Sequence, residues 1–162
     1  MRNVTLPIWL RAAVFIVLVP GTVAGWLPWD IARRPRFTLG GGPPVRWIGA
    51  ALALLGWGVL LWCARDFAVR GRGTPAPYDA PRSLVTSGLY QFVRNPMYVA
   101  VLTAIFGQAI WYRSTAVAVY GAIAALVFHT VVLVYEEPKL KNLFGQPYME
   151  YCQRIPRWFP GL

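Results

Sequence analysis

The chain has 162 residues, of which 57% are hydrophobic, 15% aromatic and only 14% charged, with 15 glycines and 14 prolines. That is too apolar for an ordinary soluble domain of this length and puts the chain in a bilayer. The net charge of +10 does not point to nucleic acid, because the arginines stand between apolar runs rather than on one amphipathic face, where they meet anionic lipid.

In chain order, residues 8–29 are long enough to cross the hydrocarbon core, with Arg11 able to snorkel and Pro20-Gly21 predicting a kink. The segment ends in Trp-Leu-Pro-Trp-Asp without a small-residue cleavage site behind it, which argues against a signal peptide. Residues 30–44, with Arg33, Arg34, Arg36 and a Gly-Gly-Gly-Pro-Pro run, form a broken basic loop. Residues 45–63 make the second span, where Gly49, Gly56 and Gly58 would let a neighbouring helix approach closely. Residues 64–87 are too polar to lie in lipid. A short third span over 97–112 turns at Arg113-Ser114 into a fourth over 115–135, as a tight antiparallel hairpin. In the polar tail, Leu140, Leu143, Phe144, Tyr148 and Tyr151 recur at helical spacing and predict an interfacial helix. The expected architecture is all-α and polytopic: one integral-membrane domain over 1–162 with about four spans and an interfacial helical tail.

Two polar stretches stand out. Within 83–98, Tyr90, Arg94 and Tyr98 recur at i, i+4, i+8 and would share one face of a helix, while Pro96 fits the first helical position of the span it opens. The pair Glu136–Glu137 closes the last apolar run. Arginine and carboxylates at helix thresholds are costly to keep unless they face a partner, a ligand or water, so 83–98 and 136–157 read as two walls of one polar site. Eleven lysines and arginines fall on the side holding this site, including Arg65, Arg70, Arg72, Arg82, Arg94, Lys139, Lys141, Arg154 and Arg157, against five on the other. The positive-inside rule makes the richer side, with both termini, cytoplasmic. Cys63 and Cys152 share no metal-type or CxxC spacing, so no metal site is expected and both read as isolated thiols. His129, inside the fourth span, reads as a neutral histidine bonded to a neighbouring helix.

The run Gly71-Arg72-Gly73-Thr74-Pro75-Ala76-Pro77, then Leu84-Val85 through Gly88, Tyr90, Arg94-Asn95-Pro96-Met97-Tyr98, then Glu136-Glu137 through Phe144-Gly145, Tyr148, Tyr151 and Ile155-Pro156-Arg157, resembles the isoprenylcysteine carboxyl methyltransferase family. That family sits in a group of integral-membrane methyltransferases that includes phospholipid N-methyltransferases. The resemblance covers about residues 65–160 and implies S-adenosylmethionine as cofactor, bound on the cytosolic side between the last two spans and the tail. The implied cofactor-binding residues are Gly88, Leu89, Tyr90, Arg94, Asn95, Pro96, Tyr98, Glu136, Glu137, Tyr148 and Tyr151. Arg94 would clamp the carboxylate, Glu136 or Glu137 would accept from the ribose hydroxyls or the amino group, the tyrosines would supply aromatic walls, and Gly88 close backbone approach. Arg94 and Arg154 would orient an anionic acceptor, with Glu150 positioning Arg154 through an i, i+4 pair.

Asn95 departs from the family, many members of which have His there, and four spans leave less wall for a long prenyl tunnel than a homo-oligomer would supply. The expected acceptor is lipophilic, a prenylcysteine-like carboxylate, with a phospholipid amine or a small thiol as the alternative, reached through a lipid-facing opening between the third and fourth spans. The rival of another class is a non-catalytic basic membrane protein binding anionic lipid or a partner. The arginine- and alanine-rich chain suggests a prokaryotic inner membrane.

Overall fold

Proline and glycine set where the helices start, bend and touch. The structure, a computed structural model, describes residues 7–34, 38, 40, 42–71 and 83–160. Most of the Gly71–Pro77 run, together with Arg2, Arg36, Arg72 and Arg82, lies outside the described residues, as does the side chain of Arg70. Helices α1 (Ile8–Leu18) and α2 (Leu27–Ala32) are joined through Pro20 by a wide turn over Thr22–Trp26. Helix α3 is Pro43–Asp66, followed by a similar wide turn, Phe67–Gly71. Then come α4 (Pro96–Tyr112), α5 (Thr115–Val131), a third wide turn Val132–Glu136, α6 (Glu137–Phe144) and α7 (Gln146–Arg154). The described secondary structure is helical apart from one isolated bridge, Thr38 with Ser114.

Three continuous helical stretches, Trp9–Ala32, Pro43–Val69 and Thr115–Phe144, are long and apolar enough to cross a membrane. The 17-residue α4, about 25 Å long at about 1.5 Å per residue, is shorter. It packs closely against α3. A Cβ at Gly49 would lie 2.6 Å from the Trp111 amide nitrogen, and one at Gly56 would lie 2.5 Å from that of Ala104. Only glycine permits such backbone approach. Gly58, expected to share this role, faces outward with nothing within 4 Å of a built Cβ.

The helix is interrupted at Val19, just before Pro20, and the Ala24 and Val23 carbonyls, four and five residues before Pro28, which has no amide hydrogen to offer them, are captured by other helices. Gln108 Nε2 of α4 donates to the Ala24 carbonyl, and Tyr120 Oη of α5 donates to that of Val23 at 2.8 Å. In a lipid-exposed helix such groups must find partners inside the protein. The predicted α4–α5 hairpin turns at Arg113, which takes a left-handed φ of 56°, and Ser114 Oγ caps α5 by accepting from Val117 N at 3.3 Å.

The fourth span runs further than expected. Glu136–Glu137 do not end it; the wide turn before Pro138 absorbs the amide that proline lacks, and the helix continues to Phe144. Leu140, Leu143 and Phe144 therefore lie on this extension and line a cavity. The chain breaks at Gly145, φ 59°, and α7 folds back with Tyr148 and Tyr151 buried.

Candidate functional site

Residues 83–98 do not form one helix. Gly88 takes a φ of 66°, a region other residues rarely enter, and opens a single tight turn over Gly88–Gln91. Pro96 then disfavours a helical residue before it, and Asn95 is non-helical at φ −125°, ψ 51°. The i, i+4, i+8 face is therefore broken. Tyr90 packs edge-on to Phe67 with centroids 5.4 Å apart, beside Cys63, and its carbonyl accepts from Tyr151 Oη at 2.6 Å. Burial pushes the phenols of Tyr90, Tyr148 and Tyr151 up from the ordinary tyrosine value, so all three stay neutral hydrogen-bonding groups.

At the end of α4 the C-terminal strap, residues 155–158, is fastened to this loop. Arg94 N donates to the Pro156 carbonyl at 2.9 Å, and Asn95 Nδ2 donates to the Arg157 carbonyl at 3.2 Å. Asn95, in place of a charged residue, thus ties down the strap. Trp158 Nε1 donates to His129 Nδ1 at 3.1 Å, so the partner of the intramembrane histidine is the strap and not a neighbouring helix. The acceptor role requires that this nitrogen carry no proton.

Fastening the strap delivers Arg157 to Glu137, with Nε to Oε1 at 2.6 Å and Nη2 to Oε2 at 3.0 Å. Arg94 Nη1 approaches the same Oε1 at 3.0 Å and donates to Cys152 Sγ at 2.8 Å. The hydrogen bond to Glu137 holds the Arg157 guanidinium pKa above its usual value. The adjacent Glu136 turns elsewhere and accepts from Tyr98 Oη. The acidic pair is therefore divided: Glu137 locks two arginines, and Glu136 faces a cavity.

Two cavities meet at Arg94. One, of about 450 Å³, is mostly apolar and lies between α4 and α5, as expected for the third and fourth spans, but the first helix supplies a further wall through Phe15, Val19, Pro20 and Val23. Its polar end holds Arg94, Asn95, Tyr98, Glu136 and Lys139, with Tyr90, Tyr148 and Tyr151. Tyr98 and Phe128 make a tilted aromatic pair there, centroids 4.8 Å apart. The other, of about 520 Å³, is lined by Arg94 and the strap with its approach, residues 152–159.

Of the predicted cofactor residues, the first cavity collects Tyr90, Arg94, Asn95, Tyr98, Glu136, Tyr148 and Tyr151. Glu137 acts through Arg94. Gly88, Leu89 and Pro96 line neither cavity and shape the loop instead. The Glu150–Arg154 ion pair does not form: Arg154 Nε reaches the Glu150 backbone carbonyl at 3.4 Å, while the carboxylate accepts from Gln146. Both side chains are exposed, where such a pair gains little. From sequence, Cys152 reads as an isolated thiol, Arg157 enters only through the motif and the charge balance, and Trp158 has no role. The Ile-Pro-Arg-Trp run was the available signal for the last two; nothing local marks Cys152.

Comparison with known proteins gives a consistent picture. The model of the phospholipid methyltransferase family matches residues 45–147. Protein-S-isoprenylcysteine O-methyltransferase B of Arabidopsis thaliana is 39% identical over 84 residues, 48% of this chain and 39% of that protein. The cobalt-zinc-cadmium resistance protein CzcN of Cupriavidus metallidurans is 34% identical over 115 residues, 71% of this chain and 47% of that protein. The nickel-cobalt-cadmium resistance protein NccN of Alcaligenes xylosoxydans xylosoxydans is 30% identical, covering 96% of this chain and 64% of its own length. The structure of the eukaryotic intramembrane Ras methyltransferase, isoprenylcysteine carboxyl methyltransferase, superposes with a TM-score of 0.56 at 20% identity, over 94% of this chain and 49% of that one, a likeness of fold. The chain spans between about two fifths and two thirds of the length of these three relatives. With the resemblance read from the motifs and a family match over most of the length, this chain belongs to the phospholipid methyltransferase family.

Proposed function

We propose that the chain is an S-adenosylmethionine-dependent integral-membrane methyltransferase for a lipophilic acceptor. The observation that carries this is the division of the acidic pair at Arg94: a cation fixed by Glu137 stands at the polar end of an apolar cavity that also holds Glu136, Tyr98 and Asn95.

The residues present fit the cofactor. Arg94 Nε is buried and without a hydrogen-bond partner among the described residues, a donor suited to a carboxylate. Glu136 keeps one oxygen beyond the Tyr98 hydrogen bond for hydroxyl or amino donors. Tyr98 and Phe128 offer a flat wall, and about 450 Å³ lies within the usual range of small-molecule sites. When bound, S-adenosylmethionine would supply an electrophilic methyl group, which passes in line to the acceptor nucleophile as the sulfonium leaves as the neutral thioether of S-adenosylhomocysteine. The chain's own contribution is alignment and dryness: Arg94 and Glu136 fix the polar groups, while Phe15, Val19, Val101 and Phe128 exclude water and accommodate an apolar chain. No side chain at the polar end is an evident strong base, which favours an acceptor that is already an anion, such as a prenylcysteine-like carboxylate. The family match favours a phospholipid amine as the second reading.

The excess of Lys and Arg at this end supports a cytoplasmic site. Calorimetric titration of detergent-purified protein with S-adenosylmethionine and S-adenosylhomocysteine tests the proposal. Saturable binding weakened by Arg94→Ala and Glu137→Ala is expected. A folded protein that binds neither compound, in detergent or in nanodiscs, overturns it in favour of a non-catalytic lipid-binding protein.

A further inference from the structure

The second cavity lies beside the first and has a definite chemistry of its own. Three arginines line it, Arg94, Arg154 and Arg157, and among the described residues no acidic residue does. Glu137, behind them, is committed to Arg157 through both oxygens and to Arg94 through one. Arg154 has no carboxylate within 4.0 Å among the described residues. Three positive charges against one negative charge are thus collected by a strap that is itself fastened down at Arg94, Asn95 and His129. Like charges held together repel; Glu137 offsets part of this at Arg94 and Arg157, while the other fastenings of the strap are neutral hydrogen bonds that offset none of it.

We propose that this cavity binds a phosphate oxyanion. A single carboxylate is satisfied by one bidentate arginine, as Glu137 already is by Arg157. Three guanidiniums from separate chain positions match the greater charge and the larger number of acceptor oxygens of a phosphate. Gln153 adds a neutral donor at the rim. The aromatic lining points to an amphiphile. The Trp158 indole N–H is occupied by His129, leaving its ring as an apolar surface, and Phe159 is 62% exposed. Both lie beside the end of α4, where a membrane helix meets the headgroups, a place where basic pockets take anionic lipid. The volume of about 520 Å³ exceeds a bare phosphate and leaves room for a headgroup. A phospholipid headgroup and a soluble phosphate ester share this chemistry, and the bound anion would hold the strap, and with it Arg157, against Glu137. The inference does not rest on the methyl-transfer reading; the two share only Arg94.

The test therefore uses Arg154 and needs no methyl donor. Full-length protein, delipidated in non-ionic detergent, is titrated with short-chain phosphatidylglycerol, with short-chain diacylglycerol lacking phosphate, and with inorganic phosphate, following thermal stability and equilibrium binding. Saturable binding of phosphatidylglycerol or of phosphate, absent with diacylglycerol and weakened about tenfold or more by Arg154→Gln, is expected. Arg154 is exposed, so this variant folds; Arg154→Lys, a point charge without the fork, restores binding only in part. Binding of phosphatidylglycerol alone assigns the anion to the membrane, and saturation by inorganic phosphate alone assigns it to a soluble phosphate. Unaltered binding by Arg154→Gln, or wild-type protein that binds phosphatidylglycerol no better than diacylglycerol and does not bind phosphate, overturns the proposal.

Discussion

Replacing Glu137 with glutamine leaves two guanidiniums facing each other with no charge between them. The side chains of Arg94 and Glu137 are 11% and 20% exposed, and that of Arg157 is 30% exposed. These values place the cluster between a surface ion pair, worth at most about 1 kcal/mol, and a fully buried one, whose breaking costs about 3–5 kcal/mol. Three charge-assisted contacts at 2.6–3.0 Å converge on the one carboxylate, so the expected loss is about 2–3 kcal/mol. Equilibrium unfolding in mixed micelles over a range of denaturing detergent measures it. A double-mutant cycle with Arg157→Gln isolates the pair, with an expected coupling of about 1–2 kcal/mol. Because Glu137 also fixes Arg94, affinity for S-adenosylhomocysteine should fall at least tenfold in the same variant. Coupling below about 0.5 kcal/mol together with unchanged affinity would refute the view of this cluster as the element that aims Arg94.

Gly56→Ala pushes a methyl group against Ala104 N at 2.5 Å and Ala100 O at 2.6 Å and should destabilise the α3–α4 pair by about 1–3 kcal/mol, whereas Gly58→Ala, which meets nothing within 4 Å, should be neutral or slightly stabilising in the same unfolding assay. Gln108→Leu and Tyr120→Phe each remove one donor to a carbonyl of the first helical stretch; intramembrane hydrogen bonds average about 0.6 and reach about 1.7 kcal/mol, so losses in that range are expected, with faster hydrogen exchange at residues 20–26. Trp158→Phe keeps the ring but deletes the hydrogen bond to His129; it should speed proteolysis of the strap and weaken phosphate binding, while Trp62→Phe, at an exposed position, should do neither.

What could be read from sequence was what depends on local pattern. Apolar runs, Pro96 at a helix start, and Gly49 and Gly56 of α3 all act within a few residues of themselves or through composition. Two errors came from backbone events with weak local signatures. The wide turn Val132–Glu136 lets a helix pass through Glu-Glu-Pro, a sequence that otherwise reads as a stop. The left-handed Gly88 and the restriction before Pro96 break a spacing that looked helical. The third kind of miss is non-local. That Arg157 meets Glu137 and Cys152 meets Arg94 depends on a strap returning past α7, and no periodicity encodes that return.

The division of the acidic pair follows from helix geometry. Successive residues on a helix point roughly 100° apart, so two adjacent glutamates cannot serve one ligand face equally. Here Glu136 turns to Tyr98 and the apolar cavity, and Glu137 turns to Arg157 and the strap. Arg94 touches both domains of influence, lining each cavity while bound to Glu137. Any displacement of the strap must therefore alter the Glu137 geometry and, through it, the position of Arg94 at the polar end of the apolar cavity. The proposed anion and the proposed cofactor are therefore expected to be coupled through this guanidinium, each changing the affinity of the other by the same factor.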